Sequence, residues 1–259
     1  MAIVQLKELL DSGIHFGTSS SLWHPRMAPY LYGKRGGIHI IDVRQTAKQL
    51  IHAYYYAAKL ARANKTLLFV GTKRQAKDVI RDSAKAAGMP FVAERWLGGT
   101  LTNFETVRTS IRRLDDIEAR VNTAEYMRES KKIQSRDGRE RRRILRNLEG
   151  VRTMAKLPDA IFLVDPKHEE TAIREARRLS IPLIGLVDSD TDPTLVDLPI
   201  PGNDDGIRPI QLVVKVLIDG LARGRSEQVT RVEVPADQQA AAAAATPAVA
   251  TGPAFPKNK

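Results

Sequence analysis

Three unbroken apolar stretches constrain this chain most: LLFV at residues 67–70, IFLV at 161–164 and LIGLV at 183–187. Each is short and carries no charge, which suits a strand buried on both faces rather than a half-exposed one. Helical patterns separate them. Leu50, Ile51, Tyr54, Ala57, Ala58 and Ala61 recur at three- and four-residue spacing between 45 and 63. Ala76, Val79, Ile80, Ala84 and Ala87 do the same between 74 and 87, and Gly88 stands ready as a stop. Weaker strand signals at 38–43, 90–92 and 195–200, with helical patterns at 169–179 and 207–221, complete the alternation. The pattern predicts an α/β fold built on a parallel sheet with helices on both faces.

Residues 104–152 differ. They hold helical periodicity and no strand signal, and Thr102 with Glu105 predicts a capping box where the first helix begins. Val107, Ile111, Leu114, Ile117 and Val121 form one narrow seam; Ile144, Leu148 and Val151 form another. Such seams predict an antiparallel α-helical hairpin standing clear of the globular body, turning between 122 and 138. The expected organisation is an α/β domain from 1–103 and 153–225, an inserted hairpin at 104–152, and a tail at 226–259. After Pro235 the tail is DQQAAAAAATPAVATGPAFPKNK, low in complexity, and it is expected to be disordered.

The 259 residues carry a net charge of +11, which points to polyanionic partners. No apolar run approaches the roughly 18 residues of a spanning helix, and MAIVQLKELLDSG lacks a signal-peptide profile. There is no cysteine, so disulfides and thiolate metal sites are excluded, and a reducing cytoplasm is the expected setting.

LLFVGTKRQA at 67–76 raises a sharper question, because strand, glycine and helix N-terminus are the parts of a phosphate site. A P-loop needs a second glycine followed by lysine, and a dinucleotide loop needs glycines two and five residues on; Gly71 has neither. Asp188, Asp190 and Asp192 start like a calcium loop, but Pro193 and Pro199 stand where glycine and glutamate are required, so the stretch reads as a turn. Asn203, Asp204 and Asp205 read as capping residues for the last helix, with a weak magnesium site as the alternative. The five histidines fit no metal-ligand spacing, and no nucleophile–base set is visible. Neither an enzyme, a cofactor nor a metal is expected.

Basic clusters remain. Residues 128–146 hold nine Lys or Arg against three Asp or Glu, a net of +6. A solvated helix face interleaves the two signs; a one-signed run is relieved by a nucleic-acid backbone. Arg139, Arg141, Arg142 and Arg143 lie in this run, and further sets are Arg26, Lys34 and Arg35, Lys73, Arg74 and Lys77, and Arg95. These eleven are the candidate contacts to a nucleic-acid backbone. Aromatic residues total only 5%, with no spacing of a stacking platform, so contact is expected mainly with phosphates and helix shape.

Six stretches then occur in order: LKELLDSGIHFG, IHIIDVRQT, FVGTKRQA, RWLGGTLTNFETV, KLPDAIFLVDPKHEETAIREARRLSIP and VDLPIPGNDDGIRPI. Over residues 3–224 the chain closely resembles the family of the second protein of the small ribosomal subunit, in its bacterial form. The resemblance implies a flavodoxin-like (Rossmann-like) parallel sheet with a protruding coiled-coil hairpin. It implies a structural, non-catalytic protein of the 30S subunit that binds 16S rRNA between head and body. It also implies neighbouring small-subunit proteins as partners, among them the large multi-domain mRNA-binding one, with no membrane and no small-molecule substrate. Thr18 departs from the family, whose bacterial members usually carry histidine there, and Asp190 stands where many have another turn residue.

Overall fold

The computed structural model describes residues 4–233 apart from 122, 124 and 125. The expected disordered tail beyond 233 lies outside the described residues. A short helix, α1 (Leu6–Ser12), leads into three strands, β1 (Phe16–Ser19), β2 (Leu31–Arg35) and β3 (Ile38–Ile41), which form an antiparallel sheet in the order β1-β3-β2. Sequence reading located only the last of these. FGTS and LYGKR are too short and polar to signal a strand by themselves.

The main sheet follows: α2 (Val43–Arg62), β4 (Leu67–Val70), α3 (Arg74–Ala87), β5 (Phe91–Val92), then β6 (Ala160–Val164), α6 (Glu170–Arg178), β7 (Leu183–Val187), β8 (Leu198–Pro201) and α7 (Ile207–Glu233). All its pairings are parallel, in the order β5-β4-β6-β7-β8. Counting these five strands alone in chain order gives 2-1-3-4-5, the flavodoxin-like arrangement. Its strand order reverses between β4 and β6.

Every residue of β4, β6 and β7 is buried, and alternate residues serve opposite faces. Leu67, Phe69, Phe162 and Leu186 join α2, α3 and α7 in one core. Leu68, Val70, Ile161 and Leu163 face a second core that includes Ala172, Ile173 and Ala176 of α6. Gly71 follows β4 where a Cβ would lie 3.0 Å from Ile80 and 3.1 Å from Ala76, so a larger residue would push these neighbours aside. Gly88, at φ 63, terminates α3 as expected.

Two expectations need correction. The last helix does not stop near 221 but runs to Glu233, so residues 226–233 of the expected tail are helical. The inserted segment forms two helices, α4 (Phe104–Val121) and α5 (Lys131–Leu148), with the link confined to 122–130. They do not stand wholly clear of the body, because Ile111, Leu114, Ile144, Leu148 and Val151 belong to the same buried cluster as the strand residues of β4 and β6. Burying those five side chains is worth far more than solvating them, so the pair is rooted in the sheet's second face.

Candidate nucleic-acid interface

In a doubly wound sheet, ligands bind outside the carboxyl ends of the strands where the order reverses. Here that crevice lies beyond Val70 and Val164, and the chain fills it with its own groups. The Thr72 amide donates to Glu169 Oε1 at 3.0 Å and the Thr72 hydroxyl donates to the same oxygen. An anion does sit beside this strand–glycine–helix turn, but it is a carboxylate of the same chain. Burial pushes the Glu169 carboxyl above its ordinary pKa despite the two bonds from Thr72.

Lys73 is not exposed for a phosphate, contrary to expectation. Its ammonium lies 2.6 Å from Asp204, 2.7 Å from Asp205 and 3.4 Å from Asp165, and its side chain is 20% exposed. Burial would lower the lysine's pKa, but the pairing with Asp204 and the other carboxylates raises it. Burial pushes Asp204 up to about 8, with Asp165 and Asp188 reinforcing the shift. Burial also raises Asp188 to about 6. The physical reason is electrostatic: three carboxylates converge on one ammonium with Asp188 close behind them, so the crevice is acidic and repels a phosphate. Asp204 and Asp205 thus hold Lys73 rather than capping α7; Asn203 does the turn's capping, accepting from the Asp205 and Gly206 amides. Carboxylate oxygens of Asp188, Asp204 and Asp205 lie within 4.8 Å of one another, but the Lys73 ammonium already supplies the cation beside Asp204 and Asp205.

Three more candidates are engaged. Arg26 Nη1 lies 2.7 Å from Asp192, which also accepts from the Thr194 amide in the expected turn. Lys77 is 2.6 Å from Glu94, and Arg141 is 3.2 Å from Glu118. The other seven (Lys34, Arg35, Arg74, Arg95, Arg139, Arg142 and Arg143) are exposed, and among the described residues none has a carboxylate partner. Lys34 and Arg35 end β2, Arg74 opens α3, Arg95 follows β5, and the remaining three lie on α5. The structure does not gather them into one cluster.

Sequence reading missed the residue that fixes the loop behind Arg95. Glu175 of α6, 8% exposed, accepts from Trp96 Nε1, from the amides of Gly99, Leu101 and Thr102, and from the Thr102 hydroxyl. Burial would raise its carboxyl, but these bonds hold it below the ordinary range. Thr102 therefore spends its hydroxyl on Glu175 and forms no capping box; α4 begins after Asn103, whose side chain accepts from the Thr106 hydroxyl. The signal was present: a glutamate on the apolar side of α6, between Ile173 and Ala176, demands a buried partner. Thr18, the family departure, bonds Ser189 Oγ through both its amide and its hydroxyl, at 2.8 and 2.7 Å.

A second exposed surface is apolar. Phe16 pairs with Ile40, so both point to the outward face of the antiparallel sheet, and Ile38, two residues from Ile40, joins them. Leu6 and Leu10 of α1 and Tyr32, 81% exposed, flank this face and line a cavity of about 320 Å³ with Ile40.

Fold and site together define a doubly wound α/β scaffold whose ligand crevice is closed from within and whose free cations lie on its outer surface. The ribosomal protein S2 family matches residues 9–224, and the chain belongs to that family. It is 47% identical to the small ribosomal subunit protein uS2 of Rhodopirellula baltica over 246 residues, covering 95% of this chain and 94% of the relative. It is 46% identical to uS2 of Coprothermobacter proteolyticus over 87% of this chain and 84% of that protein, and 47% identical to uS2 of Thermus thermophilus over 86% and 87%. No helix among the described residues is long and apolar enough to cross a membrane.

Proposed function

We propose that the chain is a structural, non-catalytic constituent of the small ribosomal subunit that binds small-subunit rRNA through its partnerless surface cations. Near-full-length identity to uS2 proteins carries this reading. The seven candidates without a carboxylate partner among the described residues support it, because a lysine or arginine already neutralised by a carboxylate gains little from a phosphate, whereas an unpaired one releases counterions on contact. Lys34, Arg35, Arg74, Arg95, Arg139, Arg142 and Arg143 are the principal contacts; Arg26, Lys73, Lys77 and Arg141 contribute less. In this role α4 and α5 act as a coiled-coil hairpin reaching towards rRNA. The apolar face of Phe16, Ile38 and Ile40, with Arg35 opposite Ile38 and Arg44 in the wall of the adjoining cavity, suits an acidic neighbouring protein such as the large mRNA-binding one.

Cosedimentation with small subunits stripped of their own family member tests the reading. The full chain is expected to load stoichiometrically in the cytoplasm's reducing conditions, and a chain lacking residues 108–150 to load weakly. Loading no better than an unrelated acidic protein at low salt would refute it.

A further inference from the structure

The helical pair is strongly basic, yet its seam is built on acids. Both carboxylates of α5 reach across to α4: Asp137 pairs with Arg120, and Glu140 lies 2.7 Å from Arg113. Asp137 is 3% exposed, and a carboxylate so deeply buried is tolerated only when paired. The Arg120 guanidinium also lies over the buried Tyr126 ring, 5.6 Å from its centre. Asp137 thereby ties both helices to the link between them.

Glu118 does the same at the root. It accepts from Arg141 of α5 at 3.2 Å and from Arg152, in the segment that returns to the sheet, at 3.0 Å. Arg152 also pairs with Asp115. Burial would raise the Glu118 carboxyl, but the bonds from Arg152 and Arg141 hold it below its ordinary range. One carboxylate thus joins α4, α5 and the chain that follows α5. Asp116, two residues away, is exposed and, among the described residues, has no cation partner.

Resting on the rRNA reading above, we infer that Asp137 and Glu118 are positioning residues, two acids that strengthen binding to a polyanion by fixing how α4 and α5 are presented. Two effects oppose each other. Each carboxylate repels phosphates, but salt screens that repulsion beyond about 8 Å. Each also holds arginines together. Without the Glu118 charge, Arg141 and Arg152 face one another with less compensation; without that of Asp137, Arg120 loses its partner at a buried site. The helices then splay, and only the fraction of molecules that keeps the geometry presents its cations correctly. Affinity falls by that fraction, while the number of phosphates neutralised in the complex stays the same.

Three variants of the full chain, D137N, E118Q and D116N, each remove one negative charge from the same helical pair. Electrostatics alone predicts tighter rRNA binding for all three. Positioning predicts binding weaker by about three- to tenfold for D137N and E118Q, with the wild-type salt slope, and binding at least as tight as wild type for D116N. A second measurement needs no RNA. The chain has no cysteine, so spin labels at K132C on α5 and K215C on α7 report on the pair without background. Their distance distribution is expected to broaden in D137N and E118Q and to keep its wild-type width in D116N. Either D137N or E118Q binding as tightly as D116N, or equal widths in all proteins, overturns the inference and leaves rRNA binding intact. Failure of the wild type to bind small-subunit rRNA refutes the underlying reading instead. E118Q alters a partly exposed pair, and its unchanged thermal midpoint is expected to exclude misfolding as the cause of its loss.

Discussion

At the scale of single residues, three buried carboxylates, Glu175, Asp188 and Asp204, organise what the glycine-containing turns leave open. Glu175 gathers five donors from residues 96–102 and so holds Arg95 and the start of α4 in place. Hydrogen bonds to a charged group are each worth about 1.5–3 kcal/mol, so E175Q is expected to lower stability by about 2–3 kcal/mol, measured as a fall in the urea midpoint. A midpoint within error of wild type would show the loop is held by packing alone. Asp204 and Asp188 predict an unusual pH dependence. Their folded pKa values, about 8 and about 6, lie above the ordinary range of about 3.9, so the folded state binds more protons than the unfolded state through this window. Their contribution is complete below about pH 4 and is lost as pH rises towards 8. Denaturation at pH 5 and pH 8 should therefore show a falling contribution, and D204N should flatten the fall. A D204N profile parallel to wild type contradicts this assignment.

At the scale of elements, the helical pair is held from two sides. Ion pairs such as Arg113–Glu140 and Arg141–Glu118 link α4 to α5 along their partly exposed edges, where each pair is worth about 0–1 kcal/mol. The apolar root is stronger. Leu114 is fully buried against the sheet's second core, and L114A is expected to cost about 2–5 kcal/mol, visible as a lowered thermal midpoint of the whole chain. If the pair were an independent appendage, L114A would instead melt it in a separate early transition. On the opposite face, α2 and α7 approach so closely that a Cβ on Gly224 would lie 2.2 Å from the Ala58 carbonyl oxygen. Alanine and glycine at these positions are therefore a condition of the contact, not a weak helix signal.

At the scale of the molecule, sequence alone carried the parallel sheet and the position of the inserted helices, because period and burial are written locally in runs such as IFLV. The antiparallel sheet was hidden, since strands of four and five residues with polar positions leave no period to read. The fate of Lys73 was hidden for another reason: its partner Asp204 is 131 residues away, and only the folded sheet edge brings them together. A basic residue beside a glycine turn looks alike in sequence whether a phosphate or an aspartate awaits it. The same holds for the free cations, whose importance depends on which neighbours lack a carboxylate. With the sheet edge closed by Lys73 and Glu169, the interaction capacity of the chain resides on its surface, and its net charge of +11 acts there.

The most direct test is the salt dependence of binding between the full chain and small-subunit rRNA, compared for the wild type and the R74Q/R95Q/R139Q/R143Q variant. A steep linear fall of log K with log salt is expected for the wild type, and a slope shallower by about 3 to 4 for the variant. A wild-type slope near zero, or the same slope for both proteins, would contradict the claim that free surface cations carry the interaction.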